Sequence, residues 1–361
     1  MSFSLEKLFV DVFDPQSGDT VSIMYDLPHG EIHDTQEWME RRQMAEEWHQ
    51  EIARFSKKYG LHVNPVVRYD ATGAQNGDLP EYGLCEGNRV CLADIARDST
   101  IIISMPQYSA SAPLIVFTKQ YDNLRVASMP VVSKRMQETG LSADYDRIAE
   151  TCAQLATLFD QSDGIEVIFS TGDTCYFDKS DHKPAIQDNG RLHPSADKSA
   201  LRLRNLPSGE VFVVPNESPD SKTMGKIPVS YGSEIALFVV QNNQVSDVSG
   251  EGPMAAKMRL EFNDERALRN IAEVAIGCNN KAVVTGNVLE DEKAGFHWAY
   301  GRSEHLGGRV GPQDFSAPDK VRHQDIVYAK GNPIVCKQLS FVFSDGKRQT
   351  VIRDGVLSIQ G

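Results

Sequence analysis

Near residues 160–165 the chain changes the unit from which it is built, and this limits its possible folds more than any other feature. Before that point strand-like and helix-like segments alternate. Val21-Ser22-Ile23-Met24-Tyr25 is an apolar run after the turn at Gly18-Asp19. Asp34-Thr35-Gln36-Glu37 then has the form of a capping box, and Trp38, Ala45, Trp48, Ile52 and Phe55 recur at helical spacing until Gly60 stops the helix. Leu61-His62-Val63 and Pro65-Val66-Val67 read as extended chain. Ser99 to Met105 is a β-branched run closed by Pro106, the profile of a strand buried on both faces of a parallel sheet, and Asp144 to Asp160 reads as a helix. Past Gly164 short strands and turns take over, with Pro253 to Leu268 the clearly helical stretch. The expected fold class is α/β (mixed). Residues 1–162 form an N-terminal α/β domain with a mostly parallel sheet, and 163–361 a C-terminal metal-binding α+β domain rich in antiparallel strands.

Of 361 residues 40% are hydrophobic and 24% charged, which is enough apolar material for ordinary cores. With 37 Lys+Arg against 50 Asp+Glu the net charge is −13, so no broad basic footprint exists and nucleic acid is excluded as a main partner. Apolar runs such as Ile235 to Val240 fall far short of the roughly 18 residues that span a bilayer, so no membrane partner is expected. The segment from Met1 to Lys7 lacks the form of a secretory leader, since Glu6 and Asp11 interrupt any apolar region, and a cytoplasmic address is expected. Six cysteines without a Cys-x-x-Cys pair read as reduced thiols.

Four segments carry candidate chemistry. In Ile271-Ala272-Glu273-Val274-Ala275-Ile276-Gly277 the strand period leaves both faces apolar except for Glu273. A buried carboxylate is costly unless it is paired or bound to metal, so Glu273 is either a site residue or the partner of an arginine such as Arg269. In Val321 to Tyr328, His323 and Asp325 stand two apart and share a strand face, which suits a metal but also any polar strand. Glu292 and His297 are five apart, matching neither a strand nor a helix face. If they meet, the backbone must turn around Ala294-Gly295; otherwise they belong to an exposed acidic loop and the strand after it. Glu210 follows the Pro207-Ser208-Gly209 turn into a strand and sits at a sheet end or in solvent.

Other motifs are weaker. Gly250-Glu251-Gly252-Pro253-Met254-Ala255 has dinucleotide-like spacing, but polar residues precede it. His29, His33 and Ser170-Thr171-Gly172-Asp173 read as turn chemistry.

Taken together, Ser208-Gly209-Glu210-Val211-Phe212, Asn270-Ile271-Ala272-Glu273, Glu292 to His297 and His323-Gln324-Asp325 resemble the thermophilic-type metallo-aminopeptidases of the aminopeptidase T/aminopeptidase S family. The resemblance covers about residues 200–330. It implies six ligands, Glu210, Glu273, Glu292, His297, His323 and Asp325, for two divalent ions (Zn, Co or Mn), and a homodimer acting on a peptide or small amide. Such a pair of ions can activate a shared water and polarise a carbonyl while a carboxylate, Glu210 or Glu273, shuttles the proton. Where the family carries a tyrosine this chain has Glu304, so the resemblance leaves Tyr300 or Arg302 to supply the replacement donor. The expected activity is that of an aminopeptidase. The alternative on the same fold is the 2,5-dihydroxypyridine dioxygenases, which bind one Fe(II) through two histidines and an aspartate. They resemble this chain at His323-x-Asp325 but have a histidine where Glu273 stands.

Overall fold

The computed structural model describes residues 3–195 and 201–359, so Met1 and Ser2 of the segment read against a leader lie outside it. Two compact units result, and the chain crosses between them several times rather than once at 162. One comprises Met1–Ala149, Asp188–Ser208 and Asn280–Ala282; the other Glu150–Gln187, Gly209–Asn279 and Val283–Gly361. Part of the crossing is caused by Leu203–Asn205, which returns to extend the parallel sheet of the first unit beside Arg125–Ser128.

In the first unit the strands Arg125–Ser128, Ile101–Ser104, Thr20–Leu27 and Val67–Asp70 run parallel side by side, and the Tyr82–Cys85 and Asn88–Cys91 hairpin continues the sheet antiparallel. Ile101, Ile102 and Ile103 are all at most 1% exposed, as expected of a strand covered on both faces. The helix Gln36–Tyr59 begins where Thr35 accepts a hydrogen bond from the Trp38 amide and ends at Gly60, whose φ of 69° is left-handed. At the start of Thr20–Leu27 the buried Asp19 accepts from Arg125 at 2.7 Å, from Thr100 at 2.6 Å and from the Gln16 amide at 2.8 Å.

The second unit is antiparallel. Its larger sheet follows the order Gln244–Ser249, Glu234–Gln241, Met224–Tyr231, Thr174–Asp178, Gly164–Phe169, Cys336–Val342, Arg348–Arg353 and Val356–Leu357. Its smaller sheet carries five strands in the order Ile186–Asp188, Glu210–Val213, Ile271–Gly277, Phe296–Gly301 and His323–Val327, the last forming an edge. Gln244–Ser249 is a strand despite its polar sequence because only Val245 and Val248 face the core. The helix Pro253–Asp264 that follows has its first amides, those of Met254 and Ala255, taken up by the Glu234 carboxylate, which leaves no place there for a dinucleotide phosphate. Among the described residues no helix is long and apolar enough to cross a membrane.

Candidate metal centre

Antiparallel register aligns the candidate residues on one face of the smaller sheet. Glu210 lies opposite Gly277, His297 opposite Ala275, Ala299 between Glu273 and Asp325, and His323 opposite Gly301. Glu210, Glu273, His323 and Asp325 each face glycine or alanine across the ladder, and His297 lies between Ala275 and Val327, so the heads converge in a trough.

Glu292 reaches the same trough from outside the sheet. The turn is made by the single 3-10 turn Glu292–Ala294, and Gly295 is extended at φ 171°. The glycine serves close approach instead, since a Cβ there would lie 2.9 Å from that of Ala329. Gly277 plays a similar part, because a Cβ would sit 2.2 Å from the Glu292 carbonyl oxygen and 2.5 Å from the Lys293 carbonyl carbon. Glu292 and His297 thereby meet.

Two groups of potential ligand atoms form, Glu210 with Glu292 and His297, and Glu273 with His323 and Asp325. Within each group the atoms lie within 4.8 Å of one another. His297 links the groups, its Nε2 lying 3.4 Å from Glu210 Oε2 and 3.7 Å from Glu273 Oε1. His323 Nε2 stands 3.1 Å from Glu273 and 3.4 Å from Asp325, while its Nδ1 donates to the Arg302 carbonyl at 2.7 Å. That second bond fixes the tautomer and aims the Nε2 lone pair at the carboxylates, the arrangement that orients a metal-binding imidazole.

Arg269 does not pair with Glu273. Its guanidinium is taken by the Phe262 carbonyl and Asn263. Burial would raise the Glu273 carboxyl, but the His297 and His323 imidazoles hold it well below the usual carboxylate range. Burial likewise opposes the ionisation of Glu210, which Lys293 and His297 outweigh. Burial pushes Glu292 up against the pull of Lys293, with Glu210 and Asp325 adding to the rise. Both imidazoles, although burial disfavours their charge, are raised well above their ordinary value by the carboxylates around them. Four carboxylates converge in this trough, and Glu210 Oε2 is buried without a hydrogen-bond donor. A divalent cation answers both conditions, and the mixed nitrogen and oxygen donors fit one of borderline type.

Tyr300 and Arg302 do not supply the replacement donor. Tyr300 is three residues from His297 and on the opposite face, packed against Phe262 at 5.4 Å and Trp298 at 6.0 Å between ring centres. It lines, with Tyr231, Gln324, Asp325 and Ile326, a cleft of about 600 Å³ beside the edge strand. The Arg302 guanidinium is committed to Glu304 at 2.8 Å, and only its carbonyl serves the site, through His323.

Two neighbours were not foreseen from sequence. Lys293, wholly buried, donates to Glu210 at 2.6 Å and to Glu292 at 2.8 Å. Its one signal is that the lysine runs directly into Ala294-Gly295-Phe296. His305 stacks edge-on against His323 with ring centres 5.0 Å apart, and nothing in the order Ser303-Glu304-His305 marks it.

Fold and site together define a two-unit α/β protein with a carboxylate–histidine centre able to hold metal. The chain is similar in fold to the 2,5-dihydroxypyridine dioxygenase from Pseudomonas putida KT2440, with a TM-score of 0.61 and 16% identity, over 99% of this chain and 97% of that one. No protein-family model and no curated protein matches it. The similarity bears out the mixed α/β class. It also corrects the expected activity: a structure that the chain matches end to end is an oxygenase, so the aminopeptidase reading, with its hydrolase and peptidase chemistry, is set aside.

Proposed function

We propose that this chain is a ring-cleaving dioxygenase that holds one iron(II) on Glu273, His323 and Asp325 and acts on a hydroxylated aromatic or pyridine ring. The observation that carries the reading is the convergence of one imidazole and two carboxylates from the two strands that flank Phe296–Gly301, in a chain whose fold follows a dioxygenase along its length. Bound there, iron(II) supplies the one-electron chemistry that lets dioxygen react with a closed-shell ring.

The protein's own groups have separate tasks. His323 presents Nε2 because Arg302 holds Nδ1, and Glu273 is steadied between two imidazoles. His297 Nε2, held charged between Glu210 and Glu273, is placed to donate a hydrogen bond to a ring oxygen. Glu273 in place of a histidine makes the donor set more anionic, which favours the harder divalent ions.

The test is oxygen consumption. Protein stripped of metal and loaded anaerobically with iron(II) is mixed with 2,5-dihydroxypyridine, gentisate or catechol in air-saturated buffer. The expected result is oxygen uptake equimolar with loss of one of these rings, abolished in Asp325→Ala. Iron bound at one per chain with no uptake on any of the three refutes the reading.

A further inference from the structure

We infer that Lys293 fills, with its own ammonium group, the second of the two adjoining ligand groups, so that this centre takes a single divalent ion although it carries ligands for two. The inference rests on the metal-binding reading above and deepens it.

The groups are alike in donors but not in surroundings. Glu210, Glu292 and His297 form one, and the Lys293 Nζ stands 2.6 Å from Glu210 Oε1 and 2.8 Å from Glu292 Oε1. Those are charge-assisted hydrogen-bond lengths, and an ion bonding the same oxygens at about 2.0–2.2 Å would have to occupy nearly the same point. In the other group, Glu273, His323 and Asp325, no lysine or arginine pairs with either carboxylate among the described residues.

The lysine is held there by its backbone as well as by its head. The Asn279 amide donates to its carbonyl at 3.0 Å, and the Gly277 amide to that of Gly295 at 2.8 Å. The segment lies on the sheet at a separation that only a glycine at 277 permits. The side chain has no exposed surface, so swinging out would strip two buried carboxylates of their cation.

The test counts ions, using cobalt(II) alone as the probe. Wild-type protein, Lys293→Met and Lys293→Arg are stripped, titrated with cobalt(II), and examined by native mass spectrometry and by the visible absorption of the bound ion. The expected counts are one, two and one, and the melting temperature of Lys293→Met should recover when cobalt(II) is added. Two ions on the wild type, or one on Lys293→Met, overturns the inference and leaves the metal reading intact. No ion on any form overturns both. Should Lys293→Met fail to fold, the wild-type count and that of Lys293→Arg still decide the matter.

Discussion

Adding a single methyl group at Gly277 should disable the centre without touching any ligand. Its backbone is not among the left-handed glycines, so Gly277→Ala acts by volume alone. The new Cβ would lie 2.2 Å from the Glu292 carbonyl oxygen, and an ordinary contact begins at 3.4 Å, so that carbonyl must retreat by roughly 1.2 Å. Glu292 and Lys293 move with it, which shifts the Glu210 carboxylate that Lys293 holds beside His297, and a misplacement of about 1 Å in a site costs on the order of 10²-fold in rate, or ~2.7 kcal/mol. Overpacking of this kind also costs about 1–3 kcal/mol of stability, which in a unit of this size lowers the melting temperature by roughly 2–12 °C. Iron-dependent oxygen uptake and a thermal melt read the two effects. A Gly277→Ala protein that turns over at the wild-type rate and melts at the wild-type temperature would refute the argument that the Glu292–Lys293 segment is fixed by contact with the sheet.

Glu273→Gln removes one anionic donor from between two imidazoles, and its affinity for cobalt(II) should fall by at least the ~10–100-fold seen when merely an outer-shell partner is lost, read by competition with a chelator. Tyr300→Phe, on the far face, should leave that affinity within about twofold, and a larger loss would show that the hydroxyl reaches the centre. Asp19→Ala strands the buried Arg125 and should cost about 3–5 kcal/mol in urea unfolding. Burial raises the Asp19 carboxyl, but Thr100, the Gln16 amide and Arg125 more than offset this, so its folded pKa lies below the unfolded one. The wild-type contribution is therefore fully present above the unfolded carboxyl pKa of about 3.9 and is lost as pH falls through the lower folded value. An unfolding free energy whose acid limb is the same in Asp19→Ala and wild type would count against that assignment.

The trough was legible because a strand has a period of two. Glu273 declared itself as the lone carboxylate on an apolar strand, and His323 with Asp325 as a pair on one face. The same period, counted from His297 at an offset of three, already places Tyr300 on the wrong face. Lys293 was not legible, since its head is positioned by a turn and by a glycine sixteen residues earlier, neither of which leaves a periodic trace. Nor was the reaction. Carboxylates and imidazoles in this order serve hydrolysis and oxygenation alike, and the oxygenation is a proposal prompted by the fold that the chain shares with a dioxygenase.

His323 and Asp325 are carried by an edge strand, tied by ladder hydrogen bonds to Phe296–Gly301 on one side. An edge is where a sheet frays first, so two of the three proposed iron ligands ride on the part of the sheet with the least backbone support. An ion joining this strand to Glu273 two strands inward acts as a rivet across the ladder. Amide hydrogen exchange over 323–327 should therefore slow when metal binds, while the Ile271–Gly277 amides, paired on both sides, change little. Retention of the metal would then be governed by how often this one strand peels away.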